Sequence, residues 1–256
     1  MDRDLTRLLE EWPYEPGRIN VRLIRGDDGD PLVQVRLDLG LLQMSVDGRP
    51  DGFRANQAPS VLEMHETRLD ELGMAEPPEE GEAEQPSLRL SPDECRQLRE
   101  EAMQYAHRYV ALLVLEDFEG VTRDTTRNLR VLDILHAHAE MEADRRSLEP
   151  QRAYLVMMRA RARASMAMKD GEPRAALIAI DEGLEELRAA FELQEQAEAF
   201  ENSKEASVLR GMREALVPKL PVSQRAELRA RLDEALVQEN YELAAILRDE
   251  LRMLPE

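Results

Sequence analysis

The amino-acid sequence predicts a mainly α-helical fold with a small antiparallel β-sheet unit near the N-terminus. Three observations predict it. Ala, Leu, Arg and Glu dominate the chain, and aromatic residues make up only 4% of it, a composition that favours helices. Apolar residues recur at three- and four-residue steps through much of residues 91–256, the period of one helix face. Strict alternation of apolar and polar residues is confined to residues 19–46, the only β signal.

The elements follow in chain order. Residues 2–11 form a short amphipathic helix with Leu5, Leu8 and Leu9 on one side, ended by Trp12-Pro13 because the residue before Pro disfavours the helix. Ile19, Val21 and Leu23 alternate with Asn20, Arg22 and Ile24, and Gly26-Asp27-Asp28-Gly29-Asp30 supplies a turn. Residues 32–37 alternate again, and a third strand covers 41–46. A helix over 60–72 covers the sheet with Val61, Leu62, His65, Leu69 and Leu72. Together these make a unit of residues 1–74. Residues 75–90 are a linker: its core AEPPEEGEAEQPS has five Glu, three Pro and no basic residue, too little apolar surface to order itself. A helical domain occupies 91–220. Ser91-Pro92-Asp93-Glu94 combines an N-cap Ser, Pro at the first helical position and the capping-box acid. That helix runs to about Leu115, and a second continues to about Arg146. Residues 149–168 form a third, Lys169-Asp170-Gly171-Glu172 is a turn, and Pro173 opens its partner. A helix from Asn202 to Leu216 leads into residues 221–256, a hairpin of two helices whose stripes, Leu232 and Leu236 on one and Ala244, Leu247 and Leu251 on the other, form the seam. A hairpin this small needs further surface to bury; the rest of the chain, a second copy in a homodimer, or another protein each supplies it.

Composition bounds the function. The net charge is −19 with pI near 4.7, which argues against a general phosphate-binding surface, so no direct nucleic-acid binding is expected. The single cysteine, Cys95, excludes an intramolecular disulfide framework and any CxxC zinc site. No GxxxxGK[ST] phosphate loop is present. The N-terminal stretch has no apolar leader core and no run could span a bilayer, so a cytoplasmic, membrane-free protein is expected.

The string ENYELAAILRDEL, residues 239–251, with Leu228, Leu232 and Ala235 before it, resembles the UVR motif of the UvrB/UvrC family. It covers about the last eighth of the chain. The resemblance implies a bacterial protein that acts by protein–protein association, with a UVR-containing protein or a copy of itself as partner, and it points to Tyr241, Glu242, Arg248 and Asp249 as partner-binding residues. The stretch YLVMMRARARASMAMKDGEPRAALIAIDEGLEEL resembles a tetratricopeptide hairpin, with Tyr154, Ala164, Gly171, Ala175, Ala176 and Leu184 at the matching places. The pair before it, around Tyr105 and Asp117-Phe118-Glu119-Gly120, is a weaker echo, and the two turns lie more than fifty residues apart against the usual repeat of about 34. The expectation is an irregular array.

Other residues weigh less. His136 and His138 are two apart and point to different helix faces, so no metal is expected. Asp27, Asp28 and Asp30 lack the closing bidentate Glu of a calcium loop. Arg123, Arg127 and Arg130 share one helix face, as do Arg159 and Arg163; the latter pair could line a groove for an acidic peptide, against the plainer reading of solvated ion pairs. Met157, Met158, Met166, Met168 and Met212 suit core filling or an adaptable surface. No catalytic constellation or cofactor site emerges. The expectation is a non-enzymatic adaptor or regulatory protein; the alternative is an accessory protein of nucleotide excision repair, reaching nucleic acid through a Uvr-type partner.

Overall fold

The computed structural model describes residues 4–55, 58–74 and 87–216, together with Leu232, Asp233, Val237 and Arg248. Compactness divides the chain into Met1–Glu214 and Ala215–Glu256. The first unit is mainly α with one three-stranded antiparallel sheet. It includes both the sheet region and the helical region, so packing joins what the change of composition at 75–90 separates in the sequence.

Helix α1 (Thr6–Glu11) leads into β1 (Asn20–Arg25), β2 (Pro31–Arg36) and β3 (Leu41–Ser45), paired in that order. Gly26 N–H donates to the Asp30 carbonyl at 2.8 Å, and Gly29 sits at φ +90, closing the first hairpin. Register places Val33 opposite both Leu23 and Met44, and Val35 opposite both Val21 and Leu42. These residues share a face because side chains alternate along a strand. Val33, Val35 and Met44 are buried. The opposite face carries a polar ladder: Arg22 Nε donates to Gln34 Oε1 and Gln34 Nε2 to Gln43 Oε1, each at 2.8 Å. The Arg22 guanidinium stacks 4.2 Å from the Trp12 ring, and Arg36 Nε donates to the Trp12 carbonyl at 2.8 Å.

Helix α2 (Val61–Gly73) starts at Ser60, whose hydroxyl accepts from Glu63 N–H, and buries Val61, Leu62 and His65. Helix α3 (Pro92–Val114) has the full capping box of Ser91 and Glu94. Helix α4 (Phe118–His138) starts at an Asp117 cap. It ends eight residues before the expected Arg146. Ala139 turns extended, Leu90 N–H donates to the His138 carbonyl at 2.8 Å, and Glu140 N–H donates to the Leu90 carbonyl at 3.1 Å. This short pairing with the chain entering α3 takes over the backbone groups that another turn of helix would have used, and α5 (Glu142–Arg145) is a separate turn.

Residues 149–151 are a 3₁₀ turn, so α6 (Arg152–Lys169) starts three residues later than its sequence suggested. Gly171, at φ +77, carries the turn into α7 (Pro173–Leu193). Helix α8 (Lys204–Leu216) starts with the Ser203 hydroxyl accepting from Ala206 N–H at 3.1 Å, so Ser203, not Asn202, is the cap. Helix α4 packs against both α3 and α6, and α6 packs along α7. At that last crossing, a Cβ placed on Gly183 would sit 2.3 Å from Ala160 Cβ. Small residues therefore set the separation of α6 and α7.

Candidate functional site

Arginines of α3 and α4 occupy the contact with the sheet and α2. Arg108 is fully buried. Its Nε and Nη2 meet the two carboxylate oxygens of the equally buried Asp124 at 2.7 and 2.8 Å. Its Nη1 donates to the carbonyls of Ser45 and Gly48, at the end of β3, at 2.9 and 2.8 Å. The planar fork is thereby satisfied on both sides, which is what makes a buried charge tolerable. Glu101 of α3, 1% exposed, accepts from the N–H groups of Val61 and Leu62 at 2.9 and 3.3 Å. Those N–H groups belong to the first turn of α2, which has no acceptors of its own and carries the positive end of the helix dipole. Arg127 donates to Glu101, and Arg49 lies 3.3 Å from the same carboxylate. The Tyr105 ring lies 4.7 Å from the Arg108 guanidinium and 3.8 Å from that of Arg127. Burial pulls the Arg127 guanidinium down to about 10.

The stripe Arg123, Arg127 and Arg130 is thus engaged within the chain, Arg127 buried and the other two at the surface. Arg123 donates to the Val46 carbonyl at 2.8 Å and pairs with Asp47; Arg130 pairs with Glu66 of α2. Together with Arg108, the three bolt residues 45–66 to the helical layer. Sequence shows their common face and not what they face.

The other candidates resolve one by one. Cys95 is buried, and burial pushes its thiol up to about 11, so it is no nucleophile at neutral pH. His136 lies 3.8 Å from Glu149, and among the described residues no group of three His, Cys, Asp or Glu could hold a metal. Asp28 accepts from Asp30 N–H at 3.1 Å, a turn contact. Asp144 accepts from Arg99, and Glu142 pairs with Arg146. Met157 and Met158 are core, while Met166 is partly exposed. Arg159 and Arg163 share a face of α6, but Arg159 is taken up by Glu186 of α7. Arg163 is half-buried and has no ion pair among the described residues. Tyr241, Glu242 and Asp249, and Leu236, Ala244, Leu247 and Leu251, lie outside the described residues. Leu232 and Arg248 are helical, the first half-buried and the second exposed.

Three surfaces went unforeseen. A cleft of about 320 Å³ lies between the apolar rim of the sheet and α3, lined by Ile19, Leu37, Leu42, His107, Tyr109 and Val110 among others. Met103 and Val114, also on α3, are about half exposed. The second surface is on α6, whose eighteen residues include Arg152, Arg159, Arg161, Arg163 and Lys169 and no acid. That acid-free run was readable in the sequence. A second cleft, of about 350 Å³, is lined by Arg49, Arg54, Val61, Gln97, Glu101 and Gln104 among others.

Comparisons with protein-family models, curated proteins and solved structures find no match to this chain. Among the described residues no helix is long and apolar enough to cross a membrane.

Proposed function

We propose that this chain is a non-enzymatic adaptor or regulatory protein that works by protein–protein contact, through the hairpin of residues 221–256 and through its helical layer. One observation carries the reading: the UVR-like string of residues 239–251, on a segment too small to be stable by itself. The helical layer supports it. Its buried ionisable groups, Arg108, Asp124, Glu101 and Arg127, hold elements together, while Met103 and Val114 of α3, Tyr154 of α6 and Ile178 of α7 stay exposed. Exposed apolar and aromatic side chains of this kind suit partner contact. Tyr241, Glu242, Arg248 and Asp249 are the residues we assign to the partner, with Leu232, Leu236, Ala244, Leu247 and Leu251 closing the hairpin. The cell compartment that fits is the bacterial cytoplasm.

The test is capture of partners by the full chain, by a chain ending at residue 221, and by a full chain with Glu242→Lys and Arg248→Glu. The reading expects a discrete partner that is lost from both variants while circular dichroism of the charge-reversed chain is unchanged. Capture that persists without residues 222–256 refutes the assignment.

A further inference from the structure

Strand β1 is the open edge of the sheet. In an antiparallel pair, hydrogen-bonded residue pairs alternate with non-bonded ones. Gly26 N–H donates to the Asp30 carbonyl, so the register makes Ile24 with Leu32, Arg22 with Gln34 and Asn20 with Arg36 the bonded pairs. Pro31, which has no N–H to give, falls in a non-bonded pair with Arg25. Val21, Leu23 and Arg25 therefore turn their N–H and C=O groups to the outer side, where no described strand pairs with them. The edge at β3 is closed at its end: Ser45 N–H donates to the Pro50 carbonyl at 2.9 Å, and the Ser45 carbonyl accepts from Arg108 at 2.9 Å. No residue of β1 is buried, and Leu23 is 58% exposed. Residues 16–26 include Arg18, Arg22 and Arg25 and no acid, in a chain of net charge −19. Arg18 lies 3.6 Å from Glu15. Arg22 stacks on Trp12 and Arg25 is exposed, and neither makes an ion pair among the described residues.

We propose that β1 takes up an extended segment of a partner protein, acidic and apolar by turns, as a fourth antiparallel strand. Main-chain hydrogen bonds to Val21, Leu23 and Arg25 supply the pairing, and the side chains opposite β1 supply the selection. The partner residues facing Arg25 and Arg22 are acids, and those facing Ile24, Leu23 and Val21 are apolar. The fitting core therefore reads Glu-Val-Val-Glu-Val. Charge complementarity selects this occupant, since Arg binds carboxylates in a bidentate fork. A second copy of this chain is a poorer one. Its β1 would set two copies of Arg18, Arg22 and Arg25 side by side with no acid between them, and like charges across a strand pair destabilise it. Charged side chains are a common guard against edge-to-edge pairing of identical strands; here the same charges admit an acidic strand. The inference adds to the adaptor reading a second contact, on an element separate from residues 221–256.

The test is fluorescence anisotropy on the full chain with defined probes. Six residues of strand span about 20 Å, so a labelled peptide of about eight residues built on Glu-Val-Val-Glu-Val covers β1. Its counterparts are the same peptide N-methylated at alternate residues, which blocks one row of main-chain donors, and the peptide with Lys in place of Glu. Saturable, salt-sensitive binding of the parent peptide is expected, at least about tenfold weaker for one of the two N-methylated registers and for the Lys peptide. Arg25→Glu should weaken the parent about threefold to tenfold, the scale of an opposed charge pair turned into a like pair. Leu23→Pro removes one outward N–H and leaves the ladder to β2 intact, because the N–H of Leu23 faces away from it; it should weaken binding at least about tenfold. Circular dichroism and the urea midpoint report whether each variant is folded, and the N-methylated peptides test the wild-type chain without any substitution. Equal binding of the parent and both N-methylated peptides overturns the inference, as does a wild-type chain that binds no parent peptide or binds the Lys peptide as well. Self-association of the wild type that Leu23→Pro abolishes overturns the choice of occupant and gives the edge to a second copy. Since residues 221–256 are intact in every arm, these outcomes leave the hairpin assignment to its own test.

Discussion

Substituting Gly183 by Ala probes the crossing that shapes the helical layer. The new Cβ would lie 2.3 Å from Ala160 Cβ, 3.4 Å from Leu209 Cδ1 and 3.7 Å from Ala160 Cα. Carbon atoms in favourable contact sit about 3.5–4.0 Å apart. The nearest obstacle is thus more than an ångström too close, and it is attached directly to backbone, so no rotamer change relieves it. Helix α7 must move away from α6, loosening Ile180 and Leu187, both fully buried. Overpacking of this kind costs about 1–3 kcal/mol. Ala favours the helix over Gly by about 0.5–1 kcal/mol. The net expectation is a loss of about 1–2 kcal/mol, read as a lower urea midpoint at unchanged slope. Ala160→Gly frees the space and should recover stability in the Gly183→Ala background while costing stability in the wild type. A Gly183→Ala chain as stable as wild type, or an additive double variant, would refute the close crossing.

Three further outcomes follow from buried groups. Arg108→Met should cost up to about 3–5 kcal/mol, measured by urea unfolding, because the buried Asp124 loses its bidentate partner and keeps only Arg123, whose Nε donates to it at 3.0 Å. His65 is buried with neither ring nitrogen hydrogen-bonded, and burial holds its pKa below the usual 6.5, with Glu94 and Arg68 the charged groups acting on it; the unfolded chain therefore takes up the proton first, stability falls as pH drops through about 6.5, and His65→Leu should flatten that part of the pH profile. Cys95 should react with an aromatic disulfide reagent only at the rate of unfolding, and fast labelling of the native chain would show that α3 opens locally.

Local chemistry was legible in the sequence and long-range pairing was not. The Ser91–Glu94 box, the Gly26–Asp30 turn, Pro173 and the strand alternation each depend on neighbours within a few residues, and each formed where expected. The end of α4 was missed because Leu90, far back in the chain, captures the backbone at His138 and Glu140. Glu101 gave no sign that it would serve the first turn of α2, forty residues earlier. Arg123, Arg127 and Arg130 showed their spacing, but a solvated face, a peptide clamp and an internal tie share that spacing. Of Arg159 and Arg163, the first is taken up by Glu186 of α7, a partner the spacing did not show. The absence of acids across residues 152–169 was visible in the sequence.

The bolting of residues 45–66 by Arg108, Arg123, Arg127 and Arg130 has a consequence for biosynthesis. A nascent chain emerges from its N-terminus at about 5–20 residues per second. Strand β3 leaves the ribosome roughly 80 residues ahead of Arg130, so the sheet waits on the order of 4–16 seconds for the side chains that fix it. During that interval both edge strands and the Val33, Val35 and Met44 face are uncovered, the exposure that invites wrong pairing between chains. The interval is longest on slowly translating ribosomes, and a holding chaperone would have its most useful moment there, before α4 is complete.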